Sequence, residues 1–519
     1  VMTMFDALPA KPSHSDIEPR ILDFWATEGT FEAVRAKNAD GPRFSFVDGP
    51  VTANNRLGVH HGWGRTYKDI FQRFRAMTGR RLRWQNGFDC QGLWVEVEVE
   101  KVMDIKGPKD IELLGVEQFV RCCQHRVETF TAKIAEQSVA LGQWNDWKNS
   151  YRTDSDRNIE AIWRFLKVCD SKHLLYEGSK VMPWCTRCGT SLSHHEMADS
   201  YKERKDPSVY FLCPLRSERF KNENFLVWTT TPWTIPANTA IAVHPDMVYD
   251  LVNIGGTLVW VSMESKQRLW PLAPPLDQQT GRELLHTDYD PPFRLPGVNY
   301  RTVPWDGIDK NTGTGFVHVA PAFGADDFDL WRRLSKEQFE GKSCGFHNFV
   351  PVDEAGVYDA TIPKVAGLHW RKANDAVLTH LRTNNLLLKG EDITHRYPHC
   401  WRCGDPVIYR QCREWFIAVT KIRERLLEAA ATIRWKPEYV GSHMENWLTQ
   451  MDDWCISRRR YWGLPLPIFR CTQPECGQTV VVGSVDELRT MAVVPSTGVT
   501  KEMLPELHRP WIDRVELEC

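Results

Sequence analysis

The hydrophobic pattern of the first 90 residues alternates between helical and strand spacing. Apolar side chains in residues 63–74 recur at i, i+4, i+7, i+8 and i+11. This spacing predicts an amphipathic helix that begins after a Gly-His turn and ends at Gly79. Short apolar runs at 44–47 and 82–85 flank the helix and predict strands. Strand, helix and strand in this order are typical of a parallel, doubly wound sheet.

A second pattern, of short β runs, begins near Cys185 and continues to about Cys403. Within it, Gly255-Gly256 joins two apolar runs and predicts a β-hairpin. Helical spacing returns after Cys412. The pattern therefore predicts an α/β domain that is interrupted by a β-rich insert. The predicted strands of the insert are 225–230, 240–243, 247–254 and 257–262.

Composition narrows the class of protein. Hydrophobic residues make up 42% of the 519 residues, and 65 Lys and Arg nearly balance 67 Asp and Glu. This excludes a disordered acidic tail and a strongly basic coat protein. No stretch approaches the roughly 20 apolar residues of a membrane span, and the first thirty residues lack the apolar core of a signal peptide. We therefore expect a soluble, cytoplasmic protein without a membrane partner.

Fifteen cysteines are present, and four of them form two Cys-x-x-Cys pairs, Cys185/Cys188 and Cys400/Cys403. Two such turns supply the four thiolates of a closed tetrahedral zinc site. The pairs are more than 200 residues apart, so a shared zinc ion would clamp the base of the insert. Two unrelated turns are the alternative. A second, incomplete set of zinc ligands is predicted at Cys471, Cys476 and Cys519.

The segment 48–61 joins the first predicted strand to the helix. Free backbone N–H groups and the positive end of the helix dipole make such a position a phosphate site. His60 and His61 in this segment could donate hydrogen bonds to phosphate oxygens. A helix cap with two incidental histidines is the alternative.

Two further runs, Arg65–Asp69 and Asn86–Glu96, resemble motifs of the class I aminoacyl-tRNA synthetases of the isoleucyl type. The family pattern is His-x-Gly-His, a helix with R-T-x-K-D, and G-W-D-x-H-G-L-P. Alignment back from the second motif places the second histidine on His61 and puts Gly58 in place of the first. The glycine position holds His60, which we expect to supply the lost imidazole. The resemblance thus implies a catalytic role for Gly58, His60 and His61.

The same resemblance implies an amino-acid pocket. The counterpart of Asp89 in isoleucyl enzymes holds the α-ammonium of the substrate, and Pro50 matches a pocket wall. Asn55 stands where the family has glycine, and Gln91 where it has histidine. Trp94 stands where it has proline. These departures leave open a paralogue of altered amino-acid specificity.

The threonine run in 227–238, together with 313–321 and 324–328, resembles the editing domain shared by isoleucyl, valyl and leucyl synthetases. A pocket that accepts isoleucine excludes valine poorly, and the isoleucyl enzyme is itself the standard example of a second, hydrolytic site. The resemblance implies that Asp327 anchors the mischarged amino acid, that the threonines orient water and that His318 lies near the terminal ribose. The implied editing residues are Thr229, Thr230, Thr231, Asn238, His318, Asp326 and Asp327.

Residues 454–465 match the family segment W-x-I-S-R-x-R-Y-W-G-x-P. Arginines beside aromatic residues suit RNA phosphates, which implies tRNA contacts for Arg458, Arg460 and Trp462. A solvated run of charge is the alternative.

The resemblance covers residues from about 15 to the end of the chain. It implies an α/β fold, a Rossmann-type nucleotide-binding fold interrupted by a β-rich editing insert with zinc-knuckle elements. The predicted segments are 1–180 (lead-in helix and first catalytic half), 181–200 (zinc-knuckle neck), 201–395 (editing domain) and 396–519 (returning knuckle and start of the second catalytic half).

The implied reaction is ATP-dependent attachment of isoleucine to tRNA(Ile) through isoleucyl-adenylate, with hydrolysis of mischarged Val-tRNA(Ile). The implied cofactors are ATP, Mg²⁺ and Zn²⁺, and we expect a monomer. The family's Lys-Met-Ser-Lys-Ser loop is not among these 519 residues, so we expect that the chain as given does not aminoacylate alone. A stand-alone editing hydrolase and a non-catalytic, zinc-clamped RNA-binding fragment are the remaining alternatives.

Overall fold

The computed structural model describes residues 11–197, 199–336, 348–493 and 506–519. The chain forms two compact units. Unit 1 comprises residues 1–173 and 460–519, and unit 2 comprises residues 174–459. Because unit 1 is discontinuous and unit 2 contains long strands, the predicted interruption of an α/β domain by a β-rich insert is confirmed. The segment boundaries drawn from the sequence stay predictions.

The helices lie mainly in unit 1, and none of those described is both long and apolar enough to span a membrane. In chain order they are α1 (His14–Thr27), α2 (Thr30–Lys37), α3 (Val59–Met77), α4 (Leu93–Met103), α5 (Pro108–Leu114), α6 (Val116–Ala140), α7 (Asp156–Ser171), α8 (His194–Met197), α9 (Met263–Leu269), α10 (Gly281–Leu284), α11 (Ala325–Lys336), α12 (Trp370–Thr383), α13 (Arg423–Ala431), α14 (Tyr439–Gln450) and α15 (Val485–Met491).

The long strands all lie in unit 2. In chain order the strands are β1 (Val51–Thr52), β2 (Gly87–Asp89), β3 (Tyr151–Arg152), β4 (Leu175–Cys185), β5 (Thr190–Ser191), β6 (Tyr201–Pro214), β7 (Glu223–Thr229), β8 (Ala240–Val243), β9 (Val248–Ile254), β10 (Thr257–Ser262), β11 (Asp277–Thr280), β12 (Thr302–Pro304), β13 (Phe316–Val319), β14 (Leu387–Pro398), β15 (Ile408–Ile417), β16 (Trp454–Cys455), β17 (Ile468–Arg470), β18 (Thr479–Val481), β19 (Ala492–Val493) and β20 (Glu516–Leu517).

Unit 1 is built on a parallel sheet in the order β1-β2-β3. Helix α3 connects β1 to β2, and the register pairs Thr52 with Asp89. Helices α4 and α6 contribute the apolar residues Val95, Phe119 and Val127 to the core, all of them fully buried. A parallel strand–helix–strand unit is therefore present around α3, but its strands are β1 and β2 and not the two predicted runs. The carboxyl ends of β1 and β2 lie side by side.

The two strands predicted at 44–47 and 82–85 are wrong. Neither run is a strand, and an isolated bridge between Arg43 and Arg81 is the pairing found there. Trp84 has a φ of 58°, in the left-handed region, which interrupts an extended backbone. Strand β2 consequently begins only at Gly87.

Helix α3 ends as predicted. Gly79 has a φ of 76°, its N–H donates to the carbonyl of Ala76, and the N–H of Arg80 donates to the carbonyl of Arg75. These two bonds form a Schellman motif, which requires a residue that tolerates positive φ at the first position after the cap. Glycine at 79 therefore ends the helix.

The apolar face of α3 lies at the surface of the part of the chain that the structure describes. The opposite face carries the buried polar residues Arg65 and Gln72. The guanidinium of Arg65 is satisfied there, since it donates to the side-chain oxygens of Gln143 and Asn86, each at 2.8 Å. Hydrogen bonds of a buried arginine thus help to hold this helix on unit 1. The exposed apolar residues are Trp63, Tyr67, Ile70, Phe71 and Phe74, each more than half exposed.

The described residues of unit 2 form three sheets, in the orders β11-β9-β10-β7-β6-β14, β12-β8-β13 and β16-β15-β4-β5. The predicted hairpin is confirmed. Strands β9 and β10 pair antiparallel, and Gly255 and Gly256 between them have φ values of 59° and 91°. Two consecutive positive φ angles are the requirement of a type I′ turn, which the Gly-Gly pair meets without strain.

Candidate functional site

Asp89 ends strand β2, and three donors hold its carboxylate. The hydroxyl of Thr153 lies 3.3 Å from one oxygen, the hydroxyl of Thr52 lies 3.5 Å from the other, and the backbone N–H of Gln91 also donates. Burial raises the pKa of Asp89 above its ordinary value, although these three hydrogen bonds act in the opposite direction. A partly buried carboxylate of this kind suits an ammonium ligand.

Pro50 and Asn55 flank strand β1. Pro50 packs close to Gly87, where an added Cβ would lie 3.1 Å from the Cβ of the proline. The side chain of Asn55 accepts a hydrogen bond of 3.0 Å from Arg126, which also donates to the carbonyl of Asn54 at 2.9 Å. Arg126 on α6 therefore fastens the loop between β1 and α3.

The three predicted catalytic positions form the first turn of helix α3. Gly58 is the residue before the helix, and its N–H donates to Nδ1 of His61 at 3.1 Å. Burial, then the neighbouring His60 and Arg65, lowers the pKa of His61. With Nδ1 as acceptor, the proton of the neutral ring lies on Nε2, which leaves an N–H donor. The rings of His60 and His61 are 3.9 Å apart between centroids.

Four of the predicted editing residues, Thr229, Thr231, Asn238 and His318, belong to one network of hydrogen bonds in unit 2. Hydroxyl oxygens of Thr229 and Thr231 lie 3.3 Å apart, and Thr231 is also 3.3 Å from Thr234. Thr234 in turn lies 2.9 Å from Nε2 of His318, whose Nδ1 is 3.3 Å from the side-chain nitrogen of Asn238. Burial lowers the pKa of His318 to about 4, so its imidazole is neutral at pH 7.

Asp327 lies in the first turn of helix α11. Its carboxylate accepts a 2.7 Å hydrogen bond from the backbone N–H of Ala320, two residues after His318. Burial raises the pKa of Asp327 to about 6. The neighbouring Asp326 is exposed, and Thr230 is partly buried at the end of β7. The structure thus fastens Asp327 to the strand that carries His318.

The four cysteines of the two Cys-x-x-Cys pairs meet in unit 2, all of their sulfur atoms within 4.8 Å of one another. Cys185 lies 3.5 Å from Cys403, and Cys188 lies 4.0 Å from Cys400, between Sγ atoms. The turns have the same shape, because Gly189 and Gly404, which follow them, both have positive φ. The N–H of each glycine donates to the carbonyl of the first cysteine of its pair.

A second cluster contains Cys471, Cys476 and Cys519 in unit 1. Cys471 and Cys476 belong to the turn between β17 and β18, and the Sγ atoms of Cys476 and Cys519 are 3.7 Å apart. Cys476 and Cys519 are exposed. Three thiols therefore converge in an open arrangement.

The residues expected to contact tRNA lie in different surroundings. Arg458 is partly buried, and its guanidinium donates to the carbonyl of Ser457 at 2.7 Å. Arg460 is also partly buried. Trp462, however, is fully buried in the core of unit 1, and its indole N–H donates to the carbonyl of Cys90 at 2.7 Å. Its side chain is a packing residue of the described structure and does not reach the surface.

Several residues of these sites were missed in the sequence. Thr234 lies three residues after Thr231 within the same threonine-rich run, so its spacing was a usable signal. Thr153 follows strand β3, whose carboxyl end lies beside that of β2, and only the sheet register reveals it. No local pattern marks Tyr289, whose hydroxyl donates to the side chain of Asn238 at 2.6 Å, or His508, which contacts Gln91.

Comparison with known proteins gives a match over most of the chain. The family model described as "tRNA synthetases class I (I, L, M and V)" matches residues 20–508. The chain is similar to the isoleucine–tRNA ligase of Thermus thermophilus, with 38% identity over 519 residues, 98% of this chain and 48% of the relative. It is similar to the isoleucine–tRNA ligase of Methanothermobacter marburgensis, with 37% identity over 511 residues, 97% of this chain and 47% of the relative.

The chain thus spans about half the length of the curated relatives it matches. Among solved structures, it resembles LeuRS of Agrobacterium radiobacter K84 in a ternary complex with tRNA and LeuAMS. That likeness has a TM-score of 0.36 and 15% identity, and it covers 95% of this chain and 53% of the other.

Proposed function

We propose that this chain, which belongs to the class I tRNA synthetase family of the I, L, M and V enzymes, performs the amino-acid activation and the editing of an isoleucine–tRNA ligase. Its mixed α/β content is that of the family, and a Rossmann-type catalytic domain in unit 1 is part of the proposal. One observation carries it. Each unit has a buried or half-buried carboxylate held by hydrogen bonds. In unit 1 the hydroxyls of Thr52 and Thr153 hold Asp89, and in unit 2 the backbone N–H of Ala320, two residues after His318, holds Asp327. One carboxylate would bind the amino acid to be activated and the other the amino acid to be removed.

In unit 1, Asp89 binds the α-ammonium of isoleucine, and Pro50 forms part of the pocket wall. The carboxylate of isoleucine attacks the α-phosphate of ATP, which forms isoleucyl-adenylate and releases pyrophosphate. The backbone N–H groups at the start of helix α3 donate hydrogen bonds to the phosphate oxygens. The Nε2–H of His61 donates another, and these bonds stabilise the negative charge that grows during the attack. Mg²⁺ accompanies ATP. In the second step the isoleucyl group passes to the terminal ribose of tRNA(Ile).

In unit 2, the proposed reaction is hydrolysis of the ester in Val-tRNA(Ile). Asp327 binds the ammonium of valine, and the hydroxyl network from Thr229 to Thr234 orients the attacking water. Water adds to the ester carbonyl, and the ribose oxygen leaves with a proton, so that valine and tRNA are released. An aminoacyl ester is reactive enough that positioning supplies much of the rate.

The four-cysteine cluster fits a structural zinc ion. Zinc–sulfur bonds of about 2.3 Å in a tetrahedron place sulfur atoms about 3.8 Å apart. The observed distances of 3.5 and 4.0 Å bracket this value. When bound, the ion would crosslink two turns that are distant in sequence. Cys471, Cys476 and Cys519 would bind zinc with one position open to another ligand.

Transfer RNA is the proposed macromolecular partner. Arg458 and Arg460 would contact its phosphates, and the buried Trp462 would support this segment from the core of unit 1. The monomeric state, the cytoplasmic location and the segment boundaries remain predictions.

Two measurements on this chain test the proposal. A non-hydrolysable isoleucyl-adenylate analogue, isoleucyl-sulfamoyl-adenosine, should bind to the wild type in isothermal titration calorimetry and lose binding in Asp89→Asn. The chain should also deacylate Val-tRNA(Ile) in preference to Ile-tRNA(Ile), and Asp327→Ala should abolish this. Asp329→Ala, an exposed aspartate on the same helix, is the matched control. Absence of both binding and deacylation in the wild type would refute the proposal.

A further inference from the structure

His508 lies in the segment that returns to unit 1 after the β-rich unit, and only 2% of its surface is exposed. Its ring stacks on the indole of Trp462, with 4.4 Å between centroids and 27° between planes. Nδ1 lies 2.5 Å from a carboxylate oxygen of Glu506, and Nε2 contacts the side-chain nitrogen of Gln91. Both ring nitrogens therefore have polar partners.

These partners determine the proton position on the ring. The Glu506 carboxylate can only accept, so Nδ1 of His508 carries the proton. The amide nitrogen of Gln91 can only donate, so Nε2 is the acceptor. In this arrangement His508 receives a hydrogen bond from a residue 417 positions earlier in the chain.

Gln91 belongs to a turn that also holds the carboxylate of Asp89, because the backbone N–H of Gln91 donates to it. Trp462 holds the residues on either side of Gln91. Its indole N–H donates to the carbonyl of Cys90, and its own carbonyl accepts a 3.0 Å hydrogen bond from the N–H of Gly92. The turn 90–92 is therefore fixed to the returning segment at each of its three residues.

We propose that His508 is a positioning residue for amino-acid binding. His508 accepts a hydrogen bond from the side-chain amide of Gln91 and thereby fixes the orientation of this residue. The backbone N–H of Gln91 then holds the carboxylate of Asp89 in the direction of the α-ammonium. Glu506 keeps the ring in the tautomer that can accept. The inference rests on the proposed function, in which Asp89 is the ammonium ligand.

A purely structural role for His508, through its stacking on Trp462, is the competing explanation. Two substitutions separate the two roles. His508→Gln places an amide oxygen at about the reach of Nε2 and can still accept from Gln91. In His508→Asn the side-chain amide extends only as far as the position of Nδ1, so it does not reach Gln91. Both variants lose the stacked ring. His508→Gln can keep the contact to Gln91 but not the contact to Glu506, and His508→Asn can keep the contact to Glu506 but not the contact to Gln91.

The experiment measures the dissociation constant of isoleucyl-sulfamoyl-adenosine for the wild-type chain, the two His508 variants and Asp89→Asn, with thermal unfolding in parallel. One lost hydrogen bond predicts binding weakened roughly 3- to 10-fold in His508→Asn. His508→Gln should bind within about twofold of the wild type, since its hydrogen bond is kept. The two variants should unfold at the same temperature.

Equal affinities of His508→Asn and His508→Gln would overturn the inference, whether both bind as the wild type does or both are weakened. In either case the contact to Gln91 would not affect binding. Failure of the wild type to bind the analogue is a distinct result, because it would overturn the proposed amino-acid site at Asp89 and the inference with it. Loss of binding in Asp89→Asn together with equal affinities of the His508 variants would leave the proposed function intact.

Discussion

Nε2 of His318 lies 2.9 Å from the hydroxyl oxygen of Thr234, inside the core of unit 2. Burial lowers the pKa of this histidine to about 4, whereas burial raises the pKa of the nearby Asp327 to about 6. The site therefore holds a base that resists protonation and an acid that resists ionisation. Their effects on stability have opposite signs.

We expect these two titrations to oppose each other in the pH dependence of stability. Between pH 6.5 and 4, the unfolded chain protonates His318 and the folded chain does not, so stability falls as the pH falls, by up to about 3 kcal/mol. Between pH 6 and 4, the folded chain keeps a proton on Asp327 that the unfolded chain releases. Stability then rises as the pH falls, by about the same amount.

Single variants should separate the two effects. The unfolding temperature of Asp327→Asn should fall relative to the wild type as the pH is lowered from 6 to 4. That of His318→Gln should rise relative to the wild type over the same interval. Differential scanning calorimetry at several pH values measures both, with Asp329→Asn as the control. Curves parallel to the wild type in both variants would contradict the prediction.

The second prediction concerns zinc binding by the four-cysteine cluster of Cys185, Cys188, Cys400 and Cys403. Purified under metal-replete conditions, the chain should hold one zinc ion in the four-cysteine cluster, and Cys185→Ser should remove one equivalent. Because a structural ion stabilises the folded state only, the variant should also unfold at a lower temperature. Elemental analysis and thermal unfolding measure the two effects. Cys122→Ser, which changes a partly buried cysteine outside both clusters, should keep the zinc content of the wild type.

The third prediction concerns the order in which zinc is lost. The cluster of Cys471, Cys476 and Cys519 has three thiols and two of them are exposed, whereas Cys185 and Cys400 in the other cluster are buried. A chelator should therefore remove zinc from the three-cysteine cluster first. Release followed with a colorimetric zinc indicator should show two phases, and Cys471→Ser should lack the fast one. A single phase unaffected by this substitution would show that the exposed cluster binds no zinc.

The sequence predicted the features that depend on local chemistry. The Gly255-Gly256 turn and the end of α3 at Gly79 follow from backbone φ preferences, and both were found where expected. The Cys185 and Cys403 thiols meet although they are 218 residues apart. This contact was predictable because two Cys-x-x-Cys turns in one chain are typical of a shared metal site. Local rules were thus sufficient for turns, caps and the convergence of the four cysteines.

Features that depend on tertiary contacts were not predictable. The left-handed backbone of Trp84 ends a run whose composition is typical of a strand, and nothing in its neighbours marks this. The apolar spacing of α3 predicts the helix but not that Arg65, held by Gln143, faces the interior. Likewise, no periodicity connects Gln91 with His508. These contacts follow from how distant segments pack, which one sequence does not encode in its local pattern.

The fourth prediction concerns the pH dependence of amino-acid binding. An ammonium ligand requires Asp89 in its charged form, and burial raises the pKa of this carboxyl above the ordinary 3.8. Affinity for isoleucyl-sulfamoyl-adenosine should therefore fall as the pH is lowered, beginning at a higher pH than an exposed aspartate would give. The hydroxyl of Thr153 opposes the raised pKa by donating to the charged form.

Removal of that hydroxyl should move the fall in affinity to higher pH. In Thr153→Val the carboxylate loses a donor, so its pKa rises further, and affinity should begin to fall at a higher pH than in the wild type. Thr153→Ser keeps the hydroxyl and should restore the wild-type profile. Calorimetric titrations at a series of pH values from 8 downward measure the midpoint of the fall in affinity for each of the three proteins. If the valine variant has the wild-type midpoint, then Thr153 does not control the charge of Asp89, and the ammonium site is set by the other two donors.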